Sequence, residues 1–283
     1  MSIAFLNGEF VDEKDAKVSI NDAGYYFGDG IYEVILFYNR KLKETELHLN
    51  RLMSCFQKVF FKNYPSKDEI LEIAEQLIDK NPEIQNGSVY IQFTRGVTPR
   101  SHSFANLDLK PNWMMKVAPY NVNFDLHMTW HCDIVEDPRR LRCDIKTISL
   151  LPMVLAKYEA EKSGFDDIIF YNSRVQSITE GSSFNVFIVD QNDTVVTYPI
   201  SNEILPGCTR ARTIQILKEN NYKIEERKYS KNELMDAQEV FATAALKPIV
   251  PILKVCGQKI GDGKIGKITQ LINKKFVDFL INS

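Results

Sequence analysis

A lysine and a glutamate thirty-four positions apart are the residues of this chain with the clearest chemical potential. Lys146 ends residues 141–146, where polar and apolar side chains alternate. Because strand side chains alternate between two faces, the pattern predicts a strand that presents Arg142, Asp144 and Lys146 together. A lysine at the end of such a polar stripe lies either on a solvated surface or beside a ligand. Arg142 and Asp144 suit a structural charge pair.

Glu180 precedes an apolar strand, in the sequence Thr-Glu-Gly-Ser-Ser-Phe-Asn-Val-Phe at residues 179–187. A lysine that forms a Schiff base with pyridoxal phosphate needs two further groups, an acidic partner for the ring nitrogen and a cradle for the phosphate. Glu180 can meet the first need, because a carboxylate beside the ring nitrogen keeps it protonated. The alternative is that Glu180 is an ordinary turn residue and Lys146 an exposed surface lysine.

A phosphate cradle is indicated by residues 205–210, Leu-Pro-Gly-Cys-Thr-Arg, which lead into a helix predicted from Thr209. The free backbone N–H groups and the positive dipole end of a helix N-terminus favour an anion. Arg51 adds a cationic fork that can bind a phosphate. Both features have ordinary alternatives, since Gly207 and Thr209 also describe a common loop and N-cap, and helical arginines are usually exposed.

The composition is typical of a soluble globular protein, with 283 residues of which 44% are hydrophobic and 25% charged. A formal net charge of −2 provides no cationic field for nucleic acid or an anionic membrane. The five cysteines are scattered and odd in number, and the histidines lack metal-ligand spacing. No run of about 18 apolar residues is present. These features predict a cytoplasmic protein without a metal, a membrane partner or a nucleic-acid partner.

The chain is predicted to open with a hairpin, because apolar runs flank Asn7-Gly8, a dipeptide that accepts the positive backbone angles of a tight turn. Capping boxes are predicted at Ser66 and Ser230, and other helices follow from apolar residues at helical spacing. The further predicted strands are residues 31–38, 88–94, 113–117, 126–135, 142–145, 168–171, 184–189, 222–227 and 240–244. The predicted helices are residues 47–60, the segment after Ser66, and residues 152–162, 209–219 and 265–281.

Two domains are predicted, a smaller N-terminal α/β domain at residues 1–120 and a larger sheet-rich domain at residues 121–283, with a linker at residues 118–123. Hairpins mixed with separated helices favour an α+β fold over a doubly wound parallel sheet. Neither the Rossmann glycine pattern nor an internal repeat is present in the sequence.

Five motifs, in order along the chain, resemble those of the class IV aminotransferases, which are fold-type IV pyridoxal-phosphate enzymes. The resemblance is closest to D-amino-acid aminotransferases, and it spans essentially the whole chain. The motifs are Tyr-Phe-Gly-Asp-Gly-Ile-Tyr-Glu-Val at 26–34, His-Leu-Asn-Arg-Leu at 48–52, Thr-Arg-Gly-Val-Thr-Pro-Arg-Ser-His at 94–102, Arg-Cys-Asp-Ile-Lys at 142–146 and residues 179–187. The resemblance implies a two-domain fold with pyridoxal 5'-phosphate between the domains.

The resemblance also implies a role in cofactor binding for five residues. Lys146 would form the Schiff base and carry the proton that moves during the reaction. Glu180 would partner the pyridine nitrogen, and Arg51 would bind the phosphate. The backbone N–H groups of Cys208 and Thr209 would complete the phosphate site.

Three further residues are implied to bind the substrate. Tyr32, Arg100 and His102 would hold the α-carboxylate of the amino acid. Arg100 and His102 would come from the neighbouring subunit of a homodimer. The residue types suit this task, because arginine offers a two-pronged donor to a carboxylate, while a phenol and an imidazole add directional hydrogen bonds.

The implied reaction is ping-pong transamination from a D-amino acid, such as D-alanine, to a 2-oxo acid, such as 2-oxoglutarate. Residues 245–251, Ala-Leu-Lys-Pro-Ile-Val-Pro, more closely resemble 4-amino-4-deoxychorismate lyases of the same fold, which release pyruvate and 4-aminobenzoate. A branched-chain aminotransferase and a non-catalytic cofactor-binding protein are the remaining alternatives. Phe184, Ala244 and Ala245 depart from the hydroxyl residues of the D-aminotransferase pattern.

Overall fold

The computed structural model describes residues 2–105, 107–121, 126, 128–139 and 141–282. It divides into two compact units. The first unit contains Met1–Val122 and the short segment Ile145–Ser149, and the second contains Asn123–Asp144 and Leu150–Ser283. Lys146 therefore belongs to the first unit, although the residues on both sides of its segment belong to the second.

The first unit is built on a six-stranded antiparallel sheet. Its strands are β1 (Ile3–Leu6), β2 (Glu9–Asp12), β3 (Gly30–Tyr38), β4 (Lys41–Leu42), β5 (Gly87–Thr94) and β6 (Asn112–Pro119). Their order across the sheet is β2-β1-β6-β5-β3-β4. The predicted N-terminal hairpin is confirmed, because Asn7 and Gly8 adopt φ values of 52° and 103° between β1 and β2.

The first unit also contains α-helices, of which the last two cover one face of this sheet. They are α1 (Ala23–Phe27), α2 (Thr45–Lys58) and α3 (Lys67–Asp79). At Ser66, where a capping box was predicted, the structure shows the N-cap half of it, since the hydroxyl accepts a hydrogen bond from the Glu69 N–H at 3.1 Å. The apolar faces of α2 and α3 pack in one core with Ile31, Ile35 and Phe37 of β3. Helix α1, a single short turn capped by Asp22, was not predicted from the sequence.

Strand β3 carries polar side chains on opposite faces of the sheet. Ile31, Glu33 and Ile35 are all buried and share the face that α2 covers, because strand side chains alternate with a period of two. Tyr32 lies on the other face and is half-buried. A carboxylate on the core-facing side of a strand must find partners there, and a phenol on the other side remains accessible.

The second unit contains a nine-stranded mixed sheet. Its strands are β7 (Trp130–Glu136), β8 (Asp167–Asn172), β9 (Ser177–Gly181), β10 (Asn185–Val189), β11 (Val195–Thr197), β12 (Ile224–Glu226), β13 (Glu239–Thr243), β14 (Val250–Val255) and β15 (Gln258–Lys259). The order is β12-β11-β10-β13-β14-β7-β8-β9, and β15 pairs with β14. Helices alternate with predominantly antiparallel hairpins in both units, so the prediction of an α+β fold is confirmed.

The sheet of the second unit closes on itself. Strand β9 pairs with β10 at Glu180 and Asn185, in addition to its pairing with β8. The strands β10, β13, β14, β7, β8 and β9 therefore form a ring. Apolar side chains fill one core of this unit, among them Trp130, Phe184 and Ile252.

Helices of the second unit are α4 (Leu151–Lys162), α5 (Cys208–Glu219), α6 (Lys231–Met235) and α7 (Lys267–Asn282). The capping box predicted at Ser230 is confirmed, because its hydroxyl accepts from the Glu233 N–H and the Glu233 carboxylate accepts from the Ser230 N–H. Within the described part of the chain, no helix combines the length and the apolar character that a membrane crossing requires.

The strand predicted at residues 141–146 is wrong. These residues form an irregular segment, in which Arg142 adopts a φ of 77° that a strand does not allow. The Cys143 N–H donates to the Asn202 carbonyl oxygen instead of to a neighbouring strand. Arg142 and Asp144 do form the expected charge pair, with 3.0 Å between Nε and Oδ1.

The predicted linker at residues 118–123 is partly occupied by a strand. Ala118 and Pro119 belong to β6 and pair with β5. Residues 122–125 and His127 lie outside the described residues. Strand β7 is accordingly shorter at its start than the predicted strand at residues 126–135.

Removing a large side chain from the core of the second unit should strongly destabilise the protein. Phe241 is fully buried and its ring stacks on that of Phe187, with 5.0 Å between the centroids. Phe241→Ala should lower the free energy of unfolding by about 3–5 kcal/mol in urea titrations. Phe60→Ala is the matched control, because Phe60 is 75% exposed, and it should change this free energy little. Equal unfolding midpoints for the two variants would contradict the packing.

Candidate active site

Lys146 lies on an irregular segment that pairs with the start of β3. Its carbonyl oxygen accepts from the Tyr32 N–H at 2.9 Å, and the Ile148 N–H donates to the Gly30 carbonyl oxygen at 3.1 Å. The Lys146 N–H donates to Cys55 Sγ of α2 at 3.4 Å. The backbone of the lysine is therefore held by both a strand and a helix of the first unit.

The amine of Lys146 lies over the ring of Tyr32. Its Nζ is 4.2 Å from the ring centroid, a distance at which the negative ring face attracts a cation. The Tyr32 ring in turn stacks on Tyr90, with 5.6 Å between the centroids. Burial raises the pKa of Tyr90 to about 12, so this supporting phenol stays neutral. The structure thus brings together Lys146 and Tyr32, two residues that the family resemblance assigned to the site.

Glycine at position 28 permits the close approach of the lysine segment. Gly28 ends α1 in the left-handed region, with φ 63°, and a Cβ there would lie 2.6 Å from Ser149 Oγ. Ser149 Oγ donates to the Gly28 carbonyl oxygen at 2.9 Å. The next residue, Asp29, forms a two-pronged ion pair with Arg95 at 2.6 and 2.8 Å. The first residues of the motif at 26–34 therefore form a turn that fixes the entry to β3, and the rest belong to β3 itself.

Arg51 is buried and forms an ion pair that was not predicted from the sequence. Its Nε and Nη2 donate to the two carboxylate oxygens of Glu33 at 2.9 and 2.6 Å. His48 Nδ1 lies 3.0 Å from Glu33 Oε1. Burial by itself raises the pKa of Glu33, but the charges of Arg51 and His48 outweigh it and hold that pKa well below its ordinary value. The role of Arg51 as a phosphate ligand stays a prediction.

Arg100 and His102 lie together on an exposed loop of the first unit. The Arg100 guanidinium and the His102 ring both contact Phe27, at 5.7 and 5.2 Å from its ring centroid. A cavity of about 410 Å³ lies beside this loop, lined by Phe27, His102 and Arg95, among others. The two predicted carboxylate ligands are thus neighbours that are largely exposed to solvent within their own chain.

Glu180 is buried in the second unit at the seam where β9 meets β10. The Asn185 amide donates to its Oε2 at 3.0 Å, and the Leu205 N–H donates to both carboxylate oxygens, at 3.1 and 3.0 Å. Arg139 Nη1 donates to Oε1. Charge-assisted hydrogen bonds of this kind compensate a carboxylate for lost hydration. The structure therefore supports Glu180 as a fixed, oriented carboxylate.

Arg139 is held in place by a second carboxylate. Its Nε and Nη2 donate to Asp137 at 2.8 and 2.7 Å, and its guanidinium stacks 4.6 Å from the Phe170 ring centroid. Burial raises the pKa of Glu180 to about 7, and the Arg139 guanidinium limits that rise. Because Asp137 shares the arginine, Glu180 receives only part of its charge. The result is a carboxyl group that titrates near neutral pH.

Cys208 and Thr209 form the first turn of α5, and both are buried. The helix begins at Gly207 without a side-chain cap, which leaves the first-turn N–H groups to other acceptors. A Cβ at Gly207 would lie 2.0 Å from Asn185 Oδ1, so only glycine fits there. The role of the Cys208 and Thr209 N–H groups as phosphate ligands stays a prediction.

The hydroxyl of Thr243 is a buried polar atom without a partner among the described residues. Thr243 lies directly opposite Asn185 across β13 and β10, so the two side chains project from the same face of the sheet. This hydroxyl stands one position before Ala244, where the sequence lacks a hydroxyl of the D-aminotransferase pattern. An orphaned hydroxyl, helix N–H groups and a buried carboxylate are the donor and acceptor set that pyridoxal phosphate requires.

Phe184, the other departure noted in the sequence, belongs to the apolar core. It is 4% exposed, and its ring lies 5.0 Å from the ring of Trp130. Gly181 makes room for it, because a Cβ there would lie 2.1 Å from the Phe184 ring. The phenylalanine therefore packs inside the ring of strands.

Glu33 and Arg139, the residues that pair with Arg51 and Glu180, were not identified from the sequence. A signal for Glu33 was present, since it is the one charged residue on the apolar face of the strand at residues 31–38. Arg139 gave no such signal, because it contacts Glu180 across 41 positions of sequence. Asn185 stood inside the motif at residues 179–187 but received no role.

Comparisons with known proteins show the family of this chain. Residues 30–255 match the family described as amino-transferase class IV. The chain is 36% identical over 281 residues to the D-alanine aminotransferase of Staphylococcus haemolyticus, and the alignment covers 99% of this chain and 98% of that protein.

Solved structures share the fold. The branched-chain amino acid aminotransferase of Escherichia coli has a TM-score of 0.90 at 23% identity, with 98% of this chain and 94% of that chain covered. The branched-chain amino acid aminotransferase of Thermobaculum terrenum in its PLP form has a TM-score of 0.88 at 20% identity, with 99% and 94% covered. These two likenesses concern the fold.

The raised pKa of Glu180 should make the stability of the cofactor-free protein depend on pH. Folded protein keeps a proton that the unfolded chain releases between the ordinary pKa of 4.5 and about 7, so the free energy of unfolding falls as pH rises through this interval. From pH 5 to pH 8 the loss is about 2–3 kcal/mol in urea titrations. Glu180→Gln should remove this component, and the exposed Glu159→Gln should retain it. An identical pH dependence for Glu180→Gln and the wild type would refute the assignment.

Neutralising Glu33 should destabilise the first unit. Glu33→Gln leaves the buried Arg51 guanidinium without its closest counter-charge, which should lower the free energy of unfolding by about 3–5 kcal/mol at pH 7. The control is Glu46→Gln, an exposed position of α2, with a change within about 0.5 kcal/mol. Because the pKa of Glu33 is depressed, its stabilising contribution is present above the ordinary pKa of 4.5 and is lost as pH falls below it. Equal stability of both variants at pH 7 would contradict this ion pair.

Proposed function

The chain belongs to the class IV aminotransferases, and we propose that it transfers the amino group of a D-amino acid, such as D-alanine, to a 2-oxo acid, such as 2-oxoglutarate. Members of this family depend on pyridoxal 5'-phosphate, and so does this enzyme. The observation that carries the choice of substrate is the 36% identity with a D-alanine aminotransferase over 99% of the chain. Structural likeness to branched-chain enzymes concerns the fold alone, because those identities are 23% and 20%.

We propose that Lys146 forms the Schiff base with the cofactor. The same side chain is the base that moves the substrate Cα proton. Its backbone hydrogen bonds to Tyr32 and Cys55 fix the start of the side chain, so the amine swings about a defined point. The Tyr32 ring supports the amine when it is charged. When bound, pyridoxal phosphate withdraws electrons from the substrate Cα, which makes the proton at that carbon acidic.

We propose that the Glu180 carboxylate keeps the pyridine nitrogen of the cofactor protonated. Its carboxylate accepts hydrogen bonds from Asn185, Leu205 and Arg139, which fix its direction. A ring nitrogen cation beside it would favour the ionised carboxylate over the protonated one. We assign the phosphate to Arg51 and to the N–H groups of Cys208 and Thr209, with the Thr243 hydroxyl as a further donor.

Substrate binding is proposed to involve two subunits. Tyr32 would hold the substrate α-carboxylate in its own subunit, and Arg100 and His102 would reach the site of the partner in a homodimer. Their exposure on a surface loop supports this proposal, since both remain available to another chain. Helix α4 supports it too, because an exposed apolar stripe at helical spacing is typical of a covered interface. The stripe consists of Leu151, Val154, Leu155 and Tyr158, each more than half exposed.

A reducing cytoplasm is the proposed location. Cys55, Cys132 and Cys208 are buried thiols, and none of the five cysteines forms a disulfide in the described chain. Burial raises the pKa of Cys55, which keeps that thiol neutral and unreactive beside the lysine segment.

Transamination should be measurable with purified enzyme and pyridoxal phosphate. D-alanine and 2-oxoglutarate should yield pyruvate and D-glutamate in equal amounts, which coupled assays of both products can quantify. Lys146→Ala should lower kcat by at least about 10²–10⁴-fold, because it removes the group that moves the proton. Lys275→Ala, an exposed lysine of α7, is the matched control and should retain wild-type activity.

Borohydride reduction followed by peptide mapping locates the cofactor independently of turnover. A pyridoxyl adduct should appear on Lys146 and be absent from Lys146→Ala. No adduct after cofactor soaking would refute the cofactor assignment. Release of 4-aminobenzoate from 4-amino-4-deoxychorismate, without pyruvate from D-alanine and 2-oxoglutarate, would identify the lyase instead.

A further inference from the structure

Asn185 occupies a junction in the second unit. It is the first residue of β10 and is 4% exposed. Its backbone lies opposite Glu180 on one side and opposite Thr243 on the other. The asparagine therefore stands between the carboxylate proposed for the ring nitrogen and the strand that carries the orphaned hydroxyl.

The Asn185 amide makes two donations from a single nitrogen. Nδ2 donates to Glu180 Oε2 at 3.0 Å and to the Leu205 carbonyl oxygen at 3.0 Å. The Leu205 N–H donates back to the Glu180 carboxylate at 3.1 and 3.0 Å. The three residues thus form a closed set of hydrogen bonds. Because the Leu205 carbonyl oxygen can only accept, the amide must turn Nδ2 toward it, and a two-proton donor of this size serves both acceptors.

The other atom of the same amide contacts the phosphate turn. Asn185 Oδ1 lies so close to Gly207 that a Cβ there would be 2.0 Å away. Gly207 is the N-cap of α5 and directly precedes Cys208. Leu205, which Asn185 binds, lies two residues before that N-cap. One side chain therefore touches the Glu180 carboxylate and both ends of the turn that leads into α5.

We propose that Asn185 is a positioning residue that fixes the distance between Glu180 and the first turn of α5. This inference rests on the proposed function. The pyridine nitrogen and the phosphate belong to one small molecule and are joined by a short CH2–O arm, so both contacts form together only if their protein partners are correctly spaced. Asn185 sets that spacing through one planar amide, without contacting the reacting atoms.

A purely structural role for Asn185 makes a different prediction. Asn172 provides the comparison, because it is also buried in the same unit and its amide donates to Glu203 at 2.8 Å. Removing either amide costs hydrogen bonds and lowers the free energy of unfolding. Only removal of Asn185 should also change the environment of the bound cofactor.

The test compares Asn185→Ala, Asn185→Asp and the control Asn172→Ala as holoenzymes. Asn185→Asp preserves the side-chain shape while replacing the donor with an acceptor, so it tests the donation without a cavity. We measure the 31P NMR shift of the bound phosphate, the rate of cofactor loss on dialysis, and the pH dependence of cofactor absorbance. Both Asn185 variants should lose cofactor about 10- to 100-fold faster than the wild type, with shifted phosphorus and absorbance signals. Asn172→Ala should match the wild type in all three.

Wild-type signals in a folded Asn185→Asp enzyme would overturn the inference, as would equal changes in Asn172→Ala. Failure of the proposed function is distinguishable, because a wild-type protein that takes up no cofactor and gives no borohydride adduct on Lys146 would fail before any variant is compared.

Discussion

The burial of the Glu180 carboxylate is the constraint on which the second unit depends. A buried carboxylate without partners is far too costly to retain, so the fold must deliver hydrogen-bond donors to it from several elements. Arg139 comes from the segment after β7, Asn185 from the start of β10 and Leu205 from the turn before α5. Closing the strands into a ring brings these distant parts of the chain to one place. At the seam between β9 and β10, Glu180 lies opposite Asn185, one of its donors.

The first unit also contains a buried glutamate, Glu33, whose pKa is shifted in the opposite direction. Glu33 lies between Arg51 and His48, and its pKa is depressed. Glu180 has one cation, which Asp137 shares, and its pKa is raised to about 7. Both carboxylates are almost fully buried, so burial does not distinguish them. The positive charges nearby distinguish them, because Glu33 lies beside both Arg51 and His48, whereas the one cation beside Glu180 is shared with Asp137. A permanently ionised Glu33 suits a structural support, and a Glu180 that titrates near neutral pH suits a partner for a basic ring nitrogen.

The features that depend on neighbouring residues were predicted correctly from the sequence. The Asn7-Gly8 turn, the caps at Ser66 and Ser230 and most strands and helices depend on neighbouring residues, and the structure contains them. The strand predicted before Lys146 failed because alternation cannot reveal the positive φ of Arg142, which tertiary contacts impose. The identities of Lys146, Glu180 and Arg51 were accessible through a family resemblance. The partners Arg139 and Glu33 depend on contacts between distant segments, which a single sequence does not encode in any readable pattern.

The segment that carries Lys146 belongs to the first unit, although the chain reaches it from the second unit and returns to the second unit afterwards. The edge of β3 is therefore completed by residues made well after the last strand of its own sheet. A cut in the predicted linker would not yield two self-sufficient fragments, because the N-terminal piece would lack the lysine and the strand partner that belong to it. Lys146 therefore lies on a segment of the first unit that is flanked on both sides by chain of the second.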